Sequence, residues 1–207
     1  IDVIARQNSL ASDLGIHLFS YKEAINMAFD KIKQNDVLSS WYDSFTNQFH
    51  KRNVWQYLEV PEKGCFTDFR IMKVDNEELA LERVFSIGGK TGWYYANFLW
   101  KIRGFLDKLI GGVGLRRGRR NQNELEAGDS VDFWRVLYAN KEEKRLLLFA
   151  EMKVPGEAWL EFYIKNGELY QEATFRPLGL SGRLYWYSVL PFHGLIFNGM
   201  LRKLAGK

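Results

Sequence analysis

The chain has 207 residues, of which 46% are hydrophobic and 15% aromatic, enough to bury ~70% of the unfolded surface and too apolar for a disordered or polar-linker protein. Lys and Arg number 29 against 25 Asp and Glu, a net charge of +4, too mild for nucleic-acid binding unless concentrated in a patch. The single cysteine, Cys65, excludes an intrachain disulfide and a cysteine-rich metal site and fits a reducing cytoplasm.

The N-terminus, Ile1-Asp2-Val3-Ile4, carries no basic region and no apolar leader, so no signal peptide is expected and the chain reads as a cytoplasmic piece of something larger. Residues 3–5 form a short strand candidate. Ser20 and Glu23 have capping-box spacing, which predicts a helix from Tyr21 to Lys33. Its stripe of Ala24, Ile25, Ala28, Phe29 and Ile32 recurs at three and four and needs a partner surface. With the aromatic segment Trp41-Tyr42-Asp43-Ser44-Phe45, residues 1–57 hold too little for a core of their own and make a small helical extension.

After Pro61 and Gly64 the texture changes. Residues 67–74 alternate polar with apolar as in a half-buried strand. Asp75 and Glu78 resemble a capping box for a helix over 76–87 that ends at Gly88-Gly89, and a second helix over 93–110 ends at Gly111-Gly112. Strands are predicted over 131–137, 145–152, 158–165 and 169–175, with Asn166-Gly167-Glu168 as a hairpin turn. In the third of these, Ala158, Leu160, Phe162 and Ile164 face one way and Trp159, Glu161 and Tyr163 the other, so the first face needs a cover.

Residues 182–205 supply that cover as a long helix with Trp186, Leu190, His193, Phe197, Met200 and Leu204 on one side and Ser188, Pro191, Asn198 and Arg202 near the other. Pro191 should kink or divide it near Leu190. Leu184 to Leu201 lacks formal charge, but its glycines and polar residues favour a buried helix over a membrane span.

Strand, two helices, antiparallel strands and a long C-terminal helix follow the order of the helix-grip fold of START-like and pollen-allergen-like proteins. More specific are Ile87-Gly88-Gly89-Lys90-Thr91-Gly92-Trp93-Tyr94-Tyr95, Leu115-Arg116-Arg117-Gly118-Arg119-Arg120, Gly128-Asp129 with Asp132-Phe133-Trp134-Arg135-Val136, Glu151-Met152-Lys153-Val154-Pro155-Gly156-Glu157, and Tyr185-Trp186-Tyr187 with Leu190-Pro191-Phe192-His193. Together these resemble the uncharacterised C-terminal domain of bacterial NAD-dependent epimerase/dehydratase-like proteins of the atypical short-chain dehydrogenase/reductase group, over about residues 60–207. Residues 1–57 resemble the tail of the oxidoreductase part.

The resemblance implies two domains, 1–57 and 58–207. It implies no cofactor in this chain itself, NAD(P) in an upstream domain, and that oxidoreductase domain as a partner. It brings no established catalytic residues. The expected fold is α+β, a curved antiparallel sheet wrapped around the long C-terminal helix.

Candidate chemistry is sparse. A dinucleotide motif starting at Gly112 fails at Arg117, and Gly89-Lys90-Thr91 lacks the upstream glycine of a P-loop, Val84 standing there. Arg116, Arg117, Arg119 and Arg120 form an anion-binding candidate, against which stands a loop paired with Glu124, Glu126 and Asp129. Trp93, Tyr94 and Tyr95 are expected to pack inward rather than stack bases, so no nucleic-acid partner is expected.

His193 is a candidate ligand-orienting group or general base, weighed against a satisfied core histidine. His17 and His50 have no ligand spacing with it, so no metal site is expected. Arg135 and Glu151 are expected to form an ion pair at the sheet. The ligand-binding set is Trp134, Arg135, Glu151, Trp186, His193 and Phe197. The leading reading is a module for a small apolar or aromatic ligand, accessory to the oxidoreductase. One alternative is an interaction module or homodimer anchored by Trp159 and Tyr163. A third is a pocket hydrolase or cyclase using His193.

Overall fold

The computed structural model describes residues 19–33, 58–115 and 124–207. Two compact units divide the chain, Ile1–Leu38 and Ser39–Lys207. The strand expected at 3–5, the aromatic segment at 41–45 and the boundary drawn at residue 57 lie outside the described residues. In the first unit, helix α1 (Tyr21–Lys33) opens on the capping box read from the sequence. The Ser20 N–H donates to Glu23 Oε2 at 2.8 Å and the Glu23 N–H donates to Ser20 Oγ at 3.3 Å.

The second unit runs β1 (Phe66–Lys73), α2 (Glu77–Phe85), α3 (Asn97–Leu109), β2 (Ser130–Val131), β3 (Trp134–Asn140), β4 (Arg145–Ala150), β5 (Gly156–Lys165), β6 (Glu168–Pro177) and α4 (Gly179–Ala205). Its strands form one curved antiparallel sheet in the order β1-β6-β5-β4-β3-β2, the α+β architecture expected. The β5–β6 turn places Asn166 at φ 53° and Gly167 at φ 76°. Both positive angles belong to a two-residue hairpin turn that asparagine and glycine adopt readily.

Register sorts the side chains. Leu160 pairs with Leu148 and Ala173, and Phe162 with Leu146 and Gln171, so an apolar row crosses the sheet on the face toward α4. The opposite face also carries apolar surface: Leu137, Leu147, Phe149 and Trp159 make a second cluster covered by Leu58 and Val60. Trp159 is only 2% exposed, so it is not the surface anchor that alternation suggested.

Several boundaries differ from the sequence reading. The α2 cap is Asn76, whose side chain accepts from the Leu79 N–H at 3.0 Å, rather than Asp75 with Glu78. Helix α3 starts four residues later than expected. Tyr94 and Ala96 take positive φ, and the Trp93 N–H donates to Asn97 Oδ1 at 2.8 Å. Trp93 itself is buried, its indole donating to Asp132 at 2.7 Å and stacking on Trp100 at 4.4 Å. The strand expected over 131–137 is broken by Asp132 at φ 53° into β2 and β3, and a register shift follows between Val136 and Tyr138.

Helix α4 packs on β1 and β6. Pro191 lies inside it without dividing it; the proline removes the N–H that would donate to the carbonyl of exposed Tyr187. Gly199 gives a close approach, because a Cβ there would stand 2.3 Å from the Tyr95 ring. The helix is not uniformly buried. Phe197, Met200, Leu201 and Leu204 are sealed, whereas Leu184, Leu190, Phe192 and Leu195 are exposed, Leu190 against expectation.

The expected Arg135–Glu151 pair is present, with Arg135 Nε and Nη2 donating to Glu151 Oε1 at 3.0 and 2.9 Å and Nη1 to the Gly128 carbonyl at 2.6 Å. Both side chains are fully buried. Replacing one partner strands the other charge in a dry site. Arg135→Met is therefore expected to cost about 3–5 kcal/mol, and the double change Arg135→Met with Glu151→Leu markedly less. Urea unfolding of the three proteins checks this; equal losses in single and double variants would contradict it.

Candidate functional site

Where α4 lifts from the sheet, a cavity of about 270 Å³ remains between the sheet, α3 and α4. Two small side chains on neighbouring strands help to leave it open. Ala158 pairs across from Phe175, and Ala173 from Leu160, so the floor is shallow beside large aromatics. Trp134 and Phe175 line it from the sheet, Leu99, Ile102, Arg103 and Leu106 from α3, and Tyr185, Trp186, Val189, His193 and Phe197 from α4.

The aromatic frame is ordered by stacking. Trp186 lies nearly parallel between Phe66, at 5.4 Å, and Phe175, at 5.9 Å. Its edge meets His193 at 5.1 Å with an interplanar angle of 88°, and Phe197 lies 4.6 Å beyond the imidazole. Such offset and edge contacts fix ring positions beyond simple area burial.

Few polar groups enter this surface. His193 Nδ1 is buried without a hydrogen-bond partner and lies 3.7 Å from Asp68 Oδ2, too far for a hydrogen bond. Burial lowers the His193 pKa from 6.5 to about 4, with Asp68 opposing and Arg70 and Arg103 adding to the fall. The imidazole is therefore neutral at pH 7. Asp68 is held instead by Arg70, whose Nη2 donates at 2.9 Å and whose Nε lies 2.8 Å away. Arg70 also donates to Asn198. At the α3 side, Arg103 donates to Met152 Sδ at 3.0 Å and its guanidinium lies 5.2 Å from the Tyr185 ring centre.

The sequence-derived set thus divides. Trp134, Trp186, His193 and Phe197 converge on the cavity, whereas Arg135 and Glu151 do not line it. The hairpin turn at Asp132 and Phe133 puts Phe133 in the main core and Arg135 opposite Phe149, so simple alternation from 131 misplaces Arg135. Glu161 pairs with Arg145 at 2.5 Å. Arg116, Arg117, Arg119 and Arg120 lie outside the described residues, as do His17 and His50.

Sequence reasoning missed Asp68, Arg70, Asn198 and Arg103. In β1 it is Asp68 and Arg70, with Phe66 and Met72, that occupy the half-buried row, while Phe69 and Ile71 are exposed. The alternation was visible; its direction was not. Gln171, across from Arg70, is fully buried with neither side-chain polar atom partnered. Among the described residues no group of three His, Cys, Asp or Glu is placed to hold a metal ion, and no helix is long and apolar enough to cross a membrane.

A family model described as "Protein of unknown function (DUF2867)" matches residues 62–200, which include every described cavity-lining residue. A curated relative, the probable translation initiation factor IF-2 of Pyrococcus abyssi (strain GE5 / Orsay), is 30% identical over 103 residues, 42% of this chain and 10% of that protein. The chain thus spans about a tenth of that relative's length.

His193 makes the site pH-sensitive. Its folded pKa near 4 lies below the unfolded value of 6.5, so between those values the unfolded chain binds one more proton and stability falls as pH falls. The loss attributable to this group is on the order of 3 kcal/mol between pH 6.5 and 4, with nothing further below pH 4. His193→Gln should flatten that part of the profile in urea unfolding at pH 7 and 4.5. Identical pH dependence in both proteins would contradict a desolvated imidazole.

Proposed function

The chain belongs to the family described as "Protein of unknown function (DUF2867)", and we propose that it is a binding module for a small apolar or aromatic ligand held between the sheet, α3 and α4. The observation that carries this reading is the cavity of about 270 Å³, larger than the ~150 Å³ apolar cavities that admit benzene. Its aromatic walls with few polar groups are the usual composition of a small-molecule site. His193 supports an orienting role: its neutral imidazole borders the cavity, and the ring nitrogen other than the sealed Nδ1 offers a ligand hydroxyl or amide one directional hydrogen bond.

Catalysis by His193 is the weaker reading. A base with a pKa of about 4 has little affinity for a proton at pH 7, far from the match that general-base catalysis favours. Anchoring of a partner by Trp159 is weaker too, since that side chain is buried. Attachment to an NAD(P)-dependent oxidoreductase of the epimerase/dehydratase type, in a helix-grip arrangement, is supported by the residue resemblance and the strand-helix order; on that reading the module would hold substrate for, or cover, the upstream site.

Native mass spectrometry of the purified chain beside its denatured mass, with and without millimolar 2-naphthol, tests the reading. An adduct in the native protein is expected, and Ala173→Phe, which fills the cavity, should reduce its occupancy about tenfold or more. A folded chain that takes up neither a co-purified molecule nor 2-naphthol would overturn it.

A further inference from the structure

Among the described residues, helices α3 and α4 leave a large apolar face unpartnered. On α3, Phe98, Phe105 and Leu109 are 62%, 62% and 66% exposed. Ile102, Leu106 and Ile110 continue the same exposed arc. At 100° per residue these six residues span about 140° of the helix, and Lys101 and Lys108 fall together along one edge. The single acid of α3, Asp107, is turned away and buried. It accepts from the Gly114 and Lys153 N–H groups at 2.8 and 2.6 Å, pinning the helix with its apolar arc outward.

Helix α4 continues this surface. Leu180, Leu184, Phe192 and Leu195 are exposed, and its 27 residues include Arg183, Arg202 and Lys203 but no Asp or Glu. The cavity lies between the two helices, since Ile102, Leu106 and Phe192 both line it and remain exposed. An apolar strip edged by lysines, with no exposed acid on either helix, is the charge pattern of a helix that lies in a membrane interface.

We propose that this face docks onto an anionic lipid surface, with α3 lying in the headgroup region, Lys101 and Lys108 along one edge of its apolar arc, and the cavity mouth turned toward the lipid. Charge complementarity selects the occupant. Basic residues at the edges gain from anionic headgroups at about 1 kcal/mol each near the surface, roughly a fivefold gain in affinity. Exposed Phe and Leu side chains add the apolar part, and no helix has to span the bilayer. The inference does not require the cavity to hold a ligand.

Sedimentation of the full 207-residue chain with vesicles tests it. Vesicles of phosphatidylcholine containing phosphatidylglycerol are expected to carry the protein down, with binding about tenfold or more weaker on pure phosphatidylcholine and at high salt. Lys101→Glu with Lys108→Glu should weaken binding by about tenfold or more. Phe105→Asp with Leu109→Asp should abolish it. None of these four side chains lines the cavity, so uptake of 2-naphthol should be unchanged, which separates failure of this inference from failure of the ligand reading. Absence of vesicle binding would overturn the proposal, as would equal binding to neutral vesicles or binding indifferent to both pairs of changes. A dimer in sedimentation velocity that Phe105→Asp with Leu109→Asp dissociates, without vesicle binding, would reassign the face to a second copy of the chain.

Discussion

One long helix has to cover the apolar face of a six-stranded sheet, and it seals one end of that face only. The last three turns of α4 bury Phe197, Met200, Leu201 and Leu204, and α2 joins them through Arg83, which donates to the Leu204 carbonyl at 3.5 Å. Toward its N-terminal end the same helix meets the sheet through the rings of Tyr185, Trp186 and Tyr187, set against Phe66 and Phe175. Elsewhere Ala158 and Ala173 are too small to meet it. The cavity, the exposed leucines of α4 and the placement of α3 across the opening all depend on this unequal cover.

The apolar lining follows from the same arrangement and sets the chemistry. A charge in an apolar cavity is costly, so His193 stays neutral at pH 7 and Asp68 turns to Arg70. The fully buried ion pair of Arg135 with Glu151 lies away from the opening and ties β3 to the segment after β4 and to the Gly128 loop. The Arg135 guanidinium donates to Glu151 and to backbone, which suits a structural tie rather than a ligand contact. The cavity is left with a few polar groups, chiefly Arg103, Tyr185 and His193, among apolar and aromatic side chains, an arrangement that can orient a ligand but offers little with which to transform it.

Much of the framework was legible in the sequence because it is local. The capping box at Ser20 and Glu23, the Asn166-Gly167 turn and the strands around it depend on residues within a few positions of each other, and each is found within one or two residues of its expected place. The failures are long-range or conformational. No residue near Trp159 signals that Leu58 and Val60 cover it. Asp132 and Ala96 adopt positive φ without the glycine that would announce it, and so shift the start of α3 and split the strand carrying Arg135. In β1, an edge strand, a period of two identifies two rows but not which one faces α4. Trp186, His193 and Phe197 reach the cavity because helix periodicity placed their row correctly, whereas Trp134 reaches it because the break at Asp132 overturns the alternation read from residue 131; Asp68 and Arg70, which flank His193 without lining the cavity, were missed because charged side chains were assigned to solvent.

The central claim is that the space beneath α4 is a persistent apolar cavity rather than a gap that side chains refill. Crystals of the chain pressurised with xenon test that most directly, because xenon enters apolar cavities that exclude water. The account expects an ordered xenon site bounded by Trp134, Phe175, Trp186 and Phe197, with those rings unmoved. A structure in which Phe192 or Ile196 had turned inward to fill the space, with no xenon bound, would contradict it.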